Sequence, residues 1–481
     1  MRPTQMKPAQ LKQAKSAYLA YLMLALGLLV LTWGTLLGPS LPVQLADLGG
    51  LHKTGKITAT WLSDSHQPEE GSFSLQDLRQ LSQYGLRDYD LAYALETSTS
   101  ATYQKNQSPA QVLGVNDRYA QFRQINLRSG RFLTFEQENQ QVAVIDEELA
   151  QALFQNCNVV GLEIELYGRD FRIIGVAGAD HSLIGTLTDR GYGKVYLPAK
   201  ILLELEADFR ITSLAVATKD AGTTGRNAAV LATALASVGQ DPANYKIIDY
   251  NLAGLLLEQG NLLRNFAAGM VAMVMLFSLL RRKIRGIDYF CRLRLRDKYW
   301  WEMIKGDAAT LMLGIAAVSA LAAAMLLVWK SISFSLYIPP ENIPNELIDV
   351  SFWTDLFKKG IQTGLQSAGY TAPSGEIQLN ILNAIQNWNV FLNIFLGWPL
   401  FLLGLYQTRL LQEKLLKVEV FCSIFLLAAL SLGTALLWLI EMPLVIETGE
   451  VLLVFSSVFL AVVTFIDRRA ADGGFTSEKS S

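Results

Sequence analysis

Apolar residues gather along this chain into six long blocks, and between the first two runs a long stretch in which apolar and polar positions alternate. About 20 consecutive apolar residues are needed to cross a bilayer, and "AYLAYLMLALGLLVLTWGTLLG" (Ala17 to Gly38) meets that length. It is too long, and has no small-residue cleavage site close behind it, to be a removed signal peptide. Five further blocks predict spans at Leu262 to Leu280, Ala308 to Trp329, Asn389 to Tyr406, Val418 to Ile440 and Val451 to Ile466. The last is the shortest.

The alternating stretch predicts a folded module of short elements. "KITATWL" (Lys56 to Leu62) has strand periodicity, and "SLQDLRQLSQYG" opens with Ser74 and Asp77 at capping-box spacing. "DYDLAYALET", "SATYQKN" and "AQVLGVN" read as strands, and "QVAVIDEELAQALF" passes from strand to helix near Asp146. "LEIELYG" followed by "DFRIIGVAG" predicts a hairpin around Gly168. "KVYLPAKILLEL", "ITSLAVATKD", a small-residue helix in "GRNAAVLATALASVG", and "YKIIDY" complete an α+β pattern, of one or two lobes.

Charge orients these pieces. The chain has 481 residues, 51% hydrophobic and 17% charged, where soluble domains carry about 25% charged residues. The net charge of −2 gives no reason to expect a nucleic-acid partner. Cytoplasmic loops are enriched in Lys and Arg. The N-terminal tail has Arg2, Lys7, Lys12 and Lys15, and the loop after the second span has a run of basic residues from Arg281 to Lys305. Both are expected inside. The turn "EMPLVIETGE", with Glu441, Glu447 and Glu450, and the loop from Ser331 to Trp388 are expected outside, as is Pro39 to Gly260. The span centres carry no ionisable residue, and Arg264 and Asp307 lie at span ends, which disfavours an ion-coupled carrier.

Candidate chemistry is sparse. "GLHKTGKI" (Gly50 to Ile57) has P-loop glycine and lysine spacing, but Ile57 stands where the Ser or Thr for magnesium belongs and no strand precedes it. A flexible exit from the membrane is expected there. His181 and Ser182 are neighbours with no acid placed by spacing, and Asp146, Glu147 and Glu148 suit a helix start. Cys157, Cys291 and Cys422 form no metal-ligand pattern with the three histidines. No catalytic, cofactor or metal site is expected, and no enzyme activity of the chain's own.

Six pieces in order, "GVNDRY" (Gly114 to Tyr119), "LRSGRF" (Leu127 to Phe132), "VAVIDEELAQALF", "VGLEIELYG" with Gly161, "FRIIGV" with Gly175, and "VYLP" ending at Pro198, carry a resemblance. Together they resemble the periplasmic core domain of MacB-like and FtsX-like ABC transporter permeases. With the six predicted spans, two more than the simplest members have, the resemblance implies an α-helical polytopic membrane protein with a large α+β extracytoplasmic domain between helices 1 and 2. It divides the chain into 1–38 (cytoplasmic tail and helix 1), 39–261 (core domain) and 262–330 (helices 2 and 3 around a cytoplasmic coupling loop, 281–306). An outer loop, 331–388, and helices 4 to 6 with a cytoplasmic tail, 389–481, follow.

The resemblance further implies a separate cytoplasmic ABC ATPase that uses the ATP, docked at Arg285, Gly286, Ile287, Tyr289 and Phe290. Ile284, Ile287 and Cys291 would share one helical face with Phe290 nearby, and Asp307 would end the segment. The family's Ala-x-Gly is absent there, and "LYQTRLLQEKLLKVEV" is the alternative coupling segment. A homodimer or heterodimer of permeases in the plasma or inner membrane, both termini cytoplasmic, and an extracytoplasmic accessory protein are implied. Export is the expected role, and activation of an outer partner such as a cell-wall hydrolase is the other.

Overall fold

The computed structural model describes residues 8–62, 73–87, 89–180, 182–188, 191–206, 209–218, 226–296, 299–338, 343, 351, 354, 358, 370 and 372–477. His181 and Lys298, and most of the loop ahead of the fourth span, lie outside the described residues.

The alternating stretch folds as one sheet. Strands β1 (Lys56–Trp61), β2 (Leu91–Tyr103), β3 (Asn106–Val115), β4 (Leu127–Gly130) and β5 (Val142–Asp146) are joined by β6 (Glu163–Leu166), β7 (Arg169–Ala177), β8 (Gly193–Pro198), β9 (Ser213–Ala217) and β10 (Tyr245–Asp249). The order is β10-β1-β9-β2-β3-β8-β5-β7-β4, with β6 pairing β2 and β7. "DYDLAYALET" and "SATYQKN" are one long strand, β2, whose hairpin with β3 ties two hydrophobic cores together. Two lobes thus share a continuous sheet.

Local chemistry sets the elements. Tyr167 and Gly168 both have positive φ, 52° and 71°, giving the primed turn that matches the twist of the β6–β7 hairpin. Ser74 and Asp77 exchange the two capping-box hydrogen bonds at α2 (Leu75–Gln80). The short helix α3 (Tyr119–Phe122) follows β3. Asp146 ends β5 and caps α4 (Glu147–Phe154), accepting from the Leu149 amide at 2.8 Å. Helices α5 (Leu183–Thr188), α6 (Ala199–Leu205) and α7 (Arg226–Ser237) complete the sheet domain.

Among the described residues, six helices are long and apolar enough to cross a membrane. They are α1 (Pro8–Leu48), α8 (Tyr250–Arg294), α10 (Ala308–Ile332), the pair α11 (Ser374–Leu392) and α12 (Trp398–Leu410) joined through a π turn, α13 (Leu415–Leu439), and α14 (Thr448–Ser477). A short α9 (Trp300–Gly306) precedes α10. At about 1.5 Å per residue, 41 and 45 residues make α1 and α8 about twice the thickness of a bilayer core.

The excess length of α1 and α8 forms a stalk beneath the sheet. Leu41 and Leu45 of α1, Tyr250 and Leu257 of α8, and Leu382 of α11 share a buried cluster with Ile184 of α5. Helix α1 runs to Leu48, with Pro39 and Pro42 within it, and the segment expected as a flexible exit forms a short 3-10 helix, Gly50–His52, ahead of β1. Lys56 of the phosphate-loop look-alike belongs to β1 and is buried, donating to the Phe122 carbonyl at 2.8 Å. Such a lysine is not free to meet a phosphate.

Candidate functional site

Three joints connect the parts. The first fastens the sheet to α11. Glu376, only 3% exposed, accepts from Lys246 Nζ of β10 at 2.6 Å and from the Tyr370 hydroxyl at 2.5 Å. Arg123, just after α3, donates to Ser374 Oγ at 3.1 Å, and a Cβ at Gly375 would lie 2.6 Å from the same guanidinium. The start of the fourth span therefore sits directly on the domain.

The second joint lies inside the helix bundle. Arg264 of α8, 1% exposed, donates to Glu450 of α14 at 2.5 Å and to the backbone oxygen of Gly34 in α1. Asn265 holds the other Glu450 oxygen at 2.5 Å. Gln386 of α11 bonds the Leu257 carbonyl and Asn261 at 2.8 and 2.9 Å, and Asn389 reaches Gly34 at 3.4 Å. A side chain at Gly34 would run into Asn393, and one at Gly38 into Arg264. Glycine is what lets α1 come so close.

This network adds what hydropathy and charge counting did not give: Arg264 and Glu450 are both buried, and each is the other's partner. Sequence spacing could not pair them, because 186 residues separate the two. A buried charge is stable only when paired, so one basic and one acidic residue near the ends of otherwise apolar spans were the available signal.

Residues 25–234 match the family of MacB-like periplasmic core domains. Among the described residues, the chain has helices long and apolar enough to cross a membrane six times in all. It is similar to the periplasmic region of MacB from Actinobacillus actinomycetemcomitans, at 21% identity over 44% of this chain and 94% of that one, with a TM-score of 0.36. It is similar too to the extracellular domain of the ABC-type transporter YknZ from Gram-positive bacteria, at 17% identity over 40% and 99%, with a TM-score of 0.33. No curated protein matches the chain significantly.

The third joint lies at the far end of α8 from the MacB-like domain. Residues 281–294 continue that helix, and α9 begins at Trp300. Arg294 closes the turn by pairing with Asp307 at 3.2 Å. Ile287 is half-buried and faces Gly314 of α10, so part of the apolar stripe read from spacing packs on the chain's own third span. Arg285, Gly286 and Tyr289 are exposed, with Leu293, Trp300 and Trp301 beside them, while Phe290 is half-buried under Arg294. The proposed coupling residues thus divide between an outward and an inward face.

Lys56 carries a consequence for the domain's stability. Burial, then the Arg123 charge, holds its pKa well below that of an exposed lysine. Between that lowered value and about 10.4 the unfolded chain binds the extra proton, so this lysine makes stability rise with pH. Lys56→Met should flatten the rise and leave the protein at least as stable near pH 7, as thermal unfolding in nanodiscs at a series of pH values would show.

Proposed function

We propose that this chain is the permease, or mechanotransmission subunit, of an ABC complex. A separate cytoplasmic ATPase docks on the turn from Arg285 to Trp301, and its ATP cycle moves the periplasmic domain, with export as the outcome. The observation that supports this best is mechanical continuity. One helix, α8, runs without a break from the exposed turn through the bundle to β10 and the stalk. A rigid rod fixed at both ends passes displacement from one end to the other without covalent chemistry, provided the ATPase binds one arrangement of the turn better than another.

The activation of an outer partner needs the same path. It differs in what the domain touches, and the proteins that co-purify with the chain separate the two readings.

The docking face is testable at its outward residues. Tyr289→Ala with Arg285→Ala should release the ATPase in mild detergent or abolish its stimulation, and leave the thermal midpoint of the permease alone. Ile287→Ala should instead weaken α8 against α10. Retention of a fully coupled ATPase by the Tyr289 and Arg285 variant would move the docking site to the segment beginning at Gln407.

A further inference from the structure

Between the underside of the periplasmic domain and the adjacent ends of α1, α11 and α13 lies a cleft of about 560 Å3. That volume is typical of small-molecule sites, about 300–1,000 Å3. Two of the residues lining it are polar and more than nine-tenths buried: Gln44 at 6% and Tyr119 at 8% exposure. Among the described residues neither the Gln44 amide nor the Tyr119 hydroxyl has a hydrogen-bond partner. Neither is among the buried polar atoms cut off from solvent, so both open onto the cleft, where an occupant can meet them.

The lining gives the occupant's chemistry. Asp47, Glu148 and Glu441 line the cleft, are exposed, and have no ion-pair partner among the described residues. Two other acids are already engaged: Asp146 accepts from the Leu149 and Lys194 amides at 2.8 and 2.6 Å, and Asp180 from the Ser182 amide at 3.1 Å. Five carboxylates thus line the cleft against two bases, Arg123 and Lys194, so its balance is acidic. The described acids are not gathered closely enough to hold a metal ion. On the membrane side the wall is Ile377, Trp438 and Met442, with Trp438 77% exposed.

We propose that this cleft binds an amphiphile bearing a primary ammonium group, taken from the adjoining membrane surface. The ammonium is drawn by the field of Asp47, Glu148 and Glu441 and donates to Gln44, while the apolar body runs along Ile377, Trp438 and Met442. Charge selects the head and the open apolar wall selects the tail. Neither requires an ATPase, so this site stands or falls apart from the coupling path.

The test is equilibrium binding of radiolabelled dodecylamine to the full chain in phosphatidylcholine nanodiscs, with empty discs subtracted. Saturable binding, displaced by unlabelled dodecylamine but neither by dodecanoate nor by tailless spermidine, is expected. Asp47→Asn with Glu441→Gln, both at exposed positions, should weaken it about tenfold with no change in thermal midpoint, and Gln44→Leu should do likewise. Binding no greater than in empty discs, equal binding by the double acid variant, or displacement by dodecanoate or spermidine would overturn the proposal.

Discussion

Replacing Glu450 with alanine should destabilise the helix bundle more than any other single change considered, by about 3–5 kcal/mol. The loss is not mainly that of an attraction. It is the cost of leaving the Arg264 guanidinium, 1% exposed, with only a carbonyl for company in an apolar bundle. Arg264→Met should cost less, because it strands a carboxylate on α14 near a helix start, where Asn265 still donates to it. The double change, Arg264→Met with Glu450→Met, should recover most of the stability, since a paired buried charge often contributes no more than well-packed apolar groups. Thermal unfolding of the four proteins in one detergent measures the coupling directly. If Glu450→Ala melts like the parent, the ion pair is not formed in the membrane.

Glu376→Ala should have the largest effect on function without a comparable effect on folding. This carboxylate alone receives both Lys246 and Tyr370 at the start of α11, so its removal unfastens the periplasmic domain from the fourth span. Lys246 is 42% exposed at its side chain and can turn to water, which limits the stability cost to about 1–3 kcal/mol. Transmission has no such relief. ATP hydrolysis by the docked ATPase should continue while movement of the domain, or export, falls to the background level. Glu376→Gln, whose single amide oxygen can accept from only one of the two partners, should retain part of the activity. Unaltered domain movement in Glu376→Ala would show that α1 and α8 alone carry the force.

Much of this was legible in the sequence where a short period decides the outcome. The capping box at Ser74, the strand-to-helix switch at Asp146 and the turn at Tyr167 and Gly168 each depend on neighbours within four residues. Hydropathy alone located the six spans. It did not locate their ends, because stalk helices beyond the bilayer pack on protein and remain apolar, as Leu41, Leu45 and Leu257 do. Arg285, Gly286, Ile287, Tyr289 and Phe290 read as one segment in the sequence, but which of them face outward depends on α10. Contacts across long separations were out of reach: Glu376 with Lys246, Arg123 with Ser374 and Arg264 with Glu450 join residues 130, 251 and 186 apart.

If ATP moves the sheet domain through α8 and the Glu376 joint, the distance between domain and bundle must follow the ATP cycle. Spin labels on cysteines placed at Lys105, in the β2–β3 turn, and Ser333, beyond α10, with the native cysteines replaced, report the distance between domain and bundle. In the complex with its ATPase, that distribution should shift by several ångströms when ATP is bound without turnover and return after hydrolysis. The shift should vanish in Glu376→Ala. A distribution that stays the same through binding and hydrolysis, in a complex that demonstrably turns over ATP, would show that ATP does not move the domain.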